Sequence, residues 1–312
     1  MAELIWKDPE IYRIQIEIPD NPLRSVNVYV LQSIGCTLVV DAGLDTPACK
    51  KQLWAELDKL EIYPEQTMLF LTHFHADHIG QVWEFAKRGI RIGTSSREEH
   101  YFYEHPADEV LLQMNSHYLQ EGFPQDLLEE SNGRWKTMPM PKLNFSTMAF
   151  EDGHGFFVGR EKVQVISVPG HTPGNAVLYL PERKLLFSGD HVLFDITPNI
   201  GVWPGVEYSL ADYLSSLDKI DRLEIQKTFP AHREAEGDIH TRIAEIKKHH
   251  QKRLDEVSQK ISRNPGISIY ELAGQLQWSA RGAEWSQFSS AQRWFAMAET
   301  MAHVIELNRT EQ

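Results

Sequence analysis

Seven consecutive residues, Thr72-His73-Phe74-His75-Ala76-Asp77-His78, hold three histidines and an aspartate, and they follow directly on the apolar run Thr67 to Leu71. Neutral imidazoles and carboxylates are the ligands that borderline divalent cations such as zinc take, and a loop leaving a strand end can turn several of them toward one point. A polar loop that merely happens to be rich in histidine would have no counterparts elsewhere in the chain. Here there are three. His171 lies in Val168-Pro-Gly-His-Thr-Pro-Gly174, Asp190 in Phe187-Ser-Gly-Asp190 and His232 in Phe229-Pro-Ala-His232. Each follows a short apolar stretch that reads as a strand: Val163 to Val168, Lys184 to Phe187, and the run ending at Thr228-Phe229. One histidine at a strand end is usually structural, but the recurrence of the same setting predicts a metal centre.

The His-x-His-x-Asp-His signature, followed by a later His, Asp and His, resembles the metallo-β-lactamase superfamily over roughly residues 10 to 235. Leu38-Val-Val-Asp-Ala-Gly43 is similar to that family's early strand-and-turn motif, and Gly170-His-Thr-Pro-Gly174 to one common in its glyoxalase II-like branch. The resemblance implies an α/β fold, a four-layer αββα sandwich with two metal ions in a cleft at one edge. It implies that His73, His75 and His171 bind one ion, that Asp77, His78 and His232 bind the other, and that Asp190 bridges them. The position matching Asp190 is generally cysteine or serine in true β-lactamases, so a β-lactam substrate is disfavoured. Flavodiiron proteins of this fold carry an acidic residue where His75 stands and append a flavodoxin domain, which disfavours oxygen or nitric oxide reduction.

Two cations in such a cleft sit on the order of 3.5 to 4 Å apart and deprotonate a bridging water near neutral pH. The hydroxide is then placed to attack a bound carbonyl, with metal charge stabilising the oxyanion and no serine or cysteine nucleophile required. Asp77 is the expected catalytic residue, orienting the hydroxide and carrying its proton. Zinc is the expected metal, and iron and manganese fit the same donors. The reading is a hydrolase of a small thioester, ester or lactone, similar to hydroxyacylglutathione hydrolase. Two alternatives follow from the same resemblance: a single-stranded RNA endonuclease of the β-lactamase-like protein 2 type, and a mononuclear iron persulfide dioxygenase, which oxygen uptake would reveal.

Composition bears on partners. The 312 residues include 31 basic and 44 acidic side chains, a net charge of -13, which disfavours nucleic acid as a partner and leaves a small molecule as the expected one. Lys247, Lys248, Lys252 and Arg253 do fall close together, and a solvated helix face is the plainer account of them. No stretch approaches the roughly 18 apolar residues of a membrane span, and the start Met1-Ala-Glu-Leu-Ile-Trp lacks a long apolar leader, so no membrane is expected and the location is read as cytoplasmic. Cys36 and Cys49 read as free thiols rather than a disulfide.

Several elements must position these ligands. Ile14, Ile16 and Ile18, and likewise Val26, Val28 and Val30, alternate as strands do, and Asp45-Thr46-Pro47 opens a helix with Leu53, Trp54, Leu57 and Leu60 on one face. The segment from about 96 to 135, with Tyr101, Phe102 and Tyr118, reads as a helical insertion, either a substrate lid or a packed surface pair; its His100, His105 and His117 lack ligand spacing, and His154 reads as an exposed turn residue. Phe194 to Gly205 must pass near the metals, which makes Asn199, Trp203 and Tyr208 candidates for substrate contact, with Arg233 a candidate for a substrate carboxylate. The catalytic domain is expected over 1-235. Beyond it, Ile239, Ile243, Ile246, His250, Leu254, Val257 and Ile261 step along one helix face, Ser268-Ile-Tyr-Glu271 has capping-box spacing, and a further helix spans about 289 to 307. This 236-312 domain resembles the small winged-helix-like domain of the β-lactamase-like protein 2 group, and it leaves a homodimer open.

Overall fold

The computed structural model describes residues 1–18, 23–135, 145–278 and 284–310. It starts with an antiparallel meander of β1 (Ala2–Lys7), β2 (Glu10–Glu17), β3 (Ser25–Ser33) and β4 (Cys36–Val40). The register sets Ile14 opposite Val28 and Ile16 opposite Val26, so the alternating apolar residues share one face. α1 (Pro47–Lys59) covers that face with Leu53, Trp54 and Leu57. Thr46 caps this helix by accepting a hydrogen bond from the Cys49 N–H, and Pro47 occupies its first turn.

The crossover through α1 makes β5 (Thr67–Phe70) parallel to β4. The short helices α2 (Ala76–Ile79) and α3 (Val82–Lys87) likewise make β6 (Arg91–Ser95) parallel to β5. Three helices then follow, α4 (Ser96–Glu104), α5 (Ala107–Gln120) and α6 (Gln125–Trp135), before β7 (Met148–Phe150) completes a seven-stranded sheet in chain order. The aromatic-rich insertion is therefore helical, as its sequence suggests. The second sheet runs β8 (Gly155–Val158), β9 (Glu161–Ser167), β10 (Ala176–Leu180) and β11 (Leu185–Gly189) in antiparallel succession. After α7 (Ser209–Asp221) the chain adds β12 (Lys227–Pro230) parallel to β11, with Leu186 beside Thr228.

Three clusters of buried side chains define the layers. Ile11, Tyr29, Leu31, Leu38 and Phe70 from the first sheet meet Val163, Val165, Leu178 and Phe187 from the second. On the outer face of the first sheet lie α1, α3 and the insertion helices. On the outer face of the second lie α7 and α8 (Ile239–Arg263). This is the αββα sandwich that the sequence led us to expect.

After β12 the described residues form helices and no strand: α8, α9 (Ile269–Gln275) and α10 (Ser290–Thr310). Ser268 and Glu271 form the capping box of α9. The apolar stripe of α8 is buried as predicted, at Ile239, Ile243, Ile246 and Val257. α10 is different, because its buried residues point several ways. Trp294, Met297, Ala298 and Met301 join the outer core of the first sheet, and Ala302 joins that of the second. Each such buried large side chain contributes about 1.5–3 kcal/mol, so α10 is a structural part of the sandwich body rather than an appendage. No helix among the described residues is long and apolar enough to cross a membrane.

α8 and α10 meet over a polar cluster. His250 Nδ1 lies 3.1 Å from His303 Nε2, and His303 Nδ1 contacts the Glu299 carbonyl at 2.6 Å. His249 and Arg253 approach the Glu299 carboxylate at 3.7 and 3.4 Å. Burial first, and His303 beside it second, push the His250 pKa from 6.5 down to about 3. The unfolded chain therefore takes up a proton that the folded chain refuses, so the stability His250 contributes is complete above pH 6.5 and is lost as pH falls toward 3. His250→Phe is expected to reduce the acid-side slope of unfolding free energy by up to about 1.4 kcal/mol per pH unit. Denaturant unfolding at pH 7 and pH 5 measures this, and identical slopes in the two proteins would contradict the assignment.

Candidate metal centre

Both parallel strand pairs serve the site. β4 and β5 leave their sheet side by side, which sets Asp41 beside Thr72: the Thr72 N–H donates to Asp41 Oδ1 at 2.8 Å, and the Thr72 hydroxyl lies 3.0 Å from both carboxylate oxygens. β11 and β12 do the same for Asp190 and the segment before His232, where the Ala231 N–H donates to the Gly189 carbonyl at 3.0 Å. His171 follows β9 in a turn shaped by Gly170, whose φ of +133° and close approach to the Tyr213 backbone exclude a side chain.

All seven residues singled out in the sequence come together, in two groups. In the first, His73 Nε2 and His171 Nε2 lie 2.9 and 3.1 Å from His75 Nδ1, and Asp190 Oδ2 lies 3.5 Å from His171 Nε2. In the second, His232 Nε2 lies 3.4 Å from Asp77 Oδ2, and His78 Nε2 lies 3.8 Å from Asp77 Oδ1. Asp190 faces both groups, with Oδ1 3.4 Å from His232 Nε2 and Oδ2 3.7 Å from His78 Nε2. Ligands held about 2.0–2.1 Å from a tetrahedral cation are themselves roughly 3.3 Å apart, so these spacings suit one.

Hydrogen bonding on the far side of the rings points the same way. His78 Nδ1 donates to Asp41 Oδ2 at 2.8 Å, His171 Nδ1 to the Asn199 carbonyl at 2.9 Å and His232 Nδ1 to the Ser25 carbonyl at 2.6 Å. His73 Nδ1 lies 3.0 Å from the Thr72 hydroxyl. These partners fix the tautomers and leave the Nε2 lone pairs facing inward. His78 Nε2, His232 Nε2 and Asp190 Oδ1 are buried with no hydrogen-bond partner. Buried orphan acceptors aimed at common points are what a divalent cation satisfies.

The two groups differ electrostatically. Burial, and then the facing His171, push His75 down to about 3, and burial with His78 lowers His73 as well. Burial would also lower His232, yet Asp190 and Asp77 outweigh it and push that imidazole up to about 10. His78 is raised against burial by Asp41 and Asp190. Burial resists ionisation of Asp77 and Asp190, but the imidazoles around them win and hold both below the usual carboxylate range. Without a cation the carboxylates of the second group therefore keep protons on its imidazoles, and a divalent cation would take the place of those protons. Asp77 is the most open carboxylate of the set, its side chain 18% exposed against 9% for Asp190.

Other candidates take different roles. Trp203 stacks near His75, ring centroids 5.9 Å apart, and its indole N–H donates to the His171 carbonyl at 3.1 Å. Asn199 supplies the carbonyl behind His171, and its amide donates to the Phe295 carbonyl on α10 at 3.1 Å. Both therefore support a ligand. Tyr208 lies by Arg309, and Arg233 pairs with Asp195 at 3.6 Å. His154 is exposed, as expected, while His100 pairs with Glu104. The basic group on α8 is dispersed: Arg253 is buried on Glu256 and Glu299, and Lys247 pairs with Asp218.

Sequence reasoning missed two buried carboxylates. Asp41 was visible inside its motif but without a role. Glu98, on α4, accepts hydrogen bonds from the Phe74 N–H at 2.8 Å, the Thr172 hydroxyl at 3.0 Å and the Gly174 N–H at 2.8 Å. Nothing in Ser95-Ser-Arg-Glu98 distinguishes it from an ordinary helix start.

Asp41 has a φ of +64°, which asparagine tolerates well, so Asp41→Asn changes the charge behind His78 with little cost to the backbone. We expect that substitution to weaken divalent-metal binding by about 10–100-fold. Chelator competition measures it, and unchanged affinity would show that Asp41 does not tune the centre.

Comparison with known proteins agrees with the geometry. The family model described as the metallo-beta-lactamase superfamily matches residues 21–232. The probable metallo-hydrolase YqjP of Bacillus subtilis (strain 168) is 24% identical over 321 residues, covering 96% of this chain and 92% of its own. The human acyl-coenzyme A thioesterase MBLAC2 is 22% identical over 220 residues, 66% of this chain and 72% of its own. The crystal structure of the metallo-beta-lactamase family protein TTHA1429 from Thermus thermophilus superposes with a TM-score of 0.80 at 29% identity, covering 96% of this chain and 94% of that one. With the matched region running from before β3 to His232, and every residue of the two converging groups inside it, the chain belongs to the metallo-beta-lactamase superfamily.

Proposed function

We propose that this protein is a dinuclear metal hydrolase acting on a small thioester, ester or lactone, with zinc as its metal and Asp77 as its catalytic residue. The observation that carries this reading is the pair of ligand groups sharing Asp190, with an all-nitrogen-and-oxygen donor set. Such a donor set suits zinc and also iron or manganese. When bound, two divalent cations supply a water that is deprotonated near neutral pH and a Lewis acid for the carbonyl oxygen.

The chain's own residues then have distinct tasks. Asp77, held 3.4 Å from His232 and partly open to solvent, accepts the proton of the attacking water and returns it to the leaving group. Asp190 keeps the two groups at fixed spacing. Trp203, with Tyr101 and Phe102 behind it at ring distances of 6.0 Å, forms an apolar wall beside His75 on which an acyl group can rest. Cys36 and Cys49 are free and belong to neither ligand group, so the reading needs no thiol nucleophile. The acyl-thioesterase name of a relative supports a thioester among the three substrate classes, and the His-Thr-Pro-Gly turn supports the glyoxalase II-like reading. A cytoplasmic setting fits two unpaired thiols.

The test is acid release by the metal-loaded protein across glutathione and coenzyme A thioesters, acyl lactones and single-stranded RNA, with metal counting and Asp190→Ala alongside. We expect turnover of one carbonyl class, a fall of at least about 100-fold in the variant, and loss of at least one metal, because removing a ligand costs more than removing its outer partner. Full activity of the variant would end the bridging role. Cleavage of RNA alone, or oxygen uptake with a single iron, would replace the hydrolase reading.

A further inference from the structure

The insertion of α4 to α6 has the position of a lid, but its first turn is tied directly to the metal-ligand loops. Glu98 is fully buried, and both of its carboxylate oxygens are engaged. One oxygen takes the N–H of Phe74, the residue between ligands His73 and His75. The other takes the Thr172 hydroxyl and the Gly174 N–H, in the loop that begins with ligand His171. Ser95, at the cap of the same helix, accepts from the Glu98 N–H and contacts the Gly174 carbonyl at 2.5 Å. Contact is so close that a Cβ on Gly174 would lie 2.0 Å from the Glu98 nitrogen.

In the common capping box, a glutamate at this position turns back to its own helix's first N–H. Here it is turned outward instead, to two loops that lie about a hundred residues apart in sequence and meet at the first ligand group. That group brings three imidazole nitrogens within 3.1 Å of their neighbours. Holding it assembled requires an agent outside the group.

We propose that Glu98 is a positioning residue that sets the register of His73 and His75 against His171, and so sets the affinity of one of the two cation positions; this rests on the dinuclear reading above. The insertion is then a brace fixed at its start. Any mobility belongs to parts further along it.

Glutamine at this position can keep the Phe74 contact but cannot accept from both the Thr172 hydroxyl and the Gly174 N–H through its amide nitrogen. The experiment titrates zinc into metal-free full-length wild type, Glu98→Gln and Leu128→Ala against a chelator, resolving two affinities for each, and follows cobalt absorption spectra in parallel. Leu128 is a buried residue of α6 in the same outer core, so its truncation destabilises the insertion without touching either loop. We expect Glu98→Gln to weaken one cation about 10–100-fold and alter its cobalt spectrum while the other stays within about two-fold, and Leu128→Ala to bind both as wild type does. Equal weakening of both cations, no weakening, or the same loss in Leu128→Ala overturns the proposal. If wild type itself binds fewer than two cations, it is the dinuclear reading that fails.

Discussion

Buried lone pairs that face one another repel, and the architecture around residues 73–78 exists to hold them in place. Imidazole nitrogens and carboxylate oxygens are packed at 2.9 to 3.8 Å and are largely shut off from solvent. Four of the five rings are gripped from behind. Asp41, Thr72, Asn199 and Ser25 provide that grip, each through a hydrogen bond to the outward nitrogen. The two sheets supply the frame, because strands that run parallel in each bring their carboxyl ends to one edge.

Much of this was legible in the chain. Ligands crowd where apolar runs end, and those runs are strands because a buried strand has to be apolar on both faces. That Ile14 and Ile16, and Val26 and Val28, lie in strands was readable from alternation; their pairing came only with the fold. What remained hidden depends on tertiary contact. Glu98 looks like an ordinary acidic residue in a first helical turn, and only folding reveals that its carboxylate reaches Phe74 and Gly174. Arg253 sits among lysines in sequence, yet the helix turns it inward onto Glu299. Trp203 and Asn199 do lie beside the His/Asp cluster, but what such residues touch is decided by a hydrogen-bond partner more than ninety residues away or by a carbonyl such as that of His171.

The insertion and α10 meet the site from different sides. The insertion reaches the His73 and His171 loops through Glu98, and α10 reaches His171 through Asn199. Asp190 is the one carboxylate beside the three histidines of the first group, whereas both Asp77 and Asp190 face the imidazoles of the second. The extra elements converge on the first group.

The seating of α10 has a consequence for the order of events during synthesis. Chains emerge from the ribosome amino end first, so all seven candidate ligands are made before Phe295 and Glu299 exist to hold Asn199. Until then His171 has its carbonyl partner on an untethered loop, and the outer cores of both sheets lack Met297, Met301 and Ala302. α10, the last helix to be made, therefore supplies the final tether behind His171.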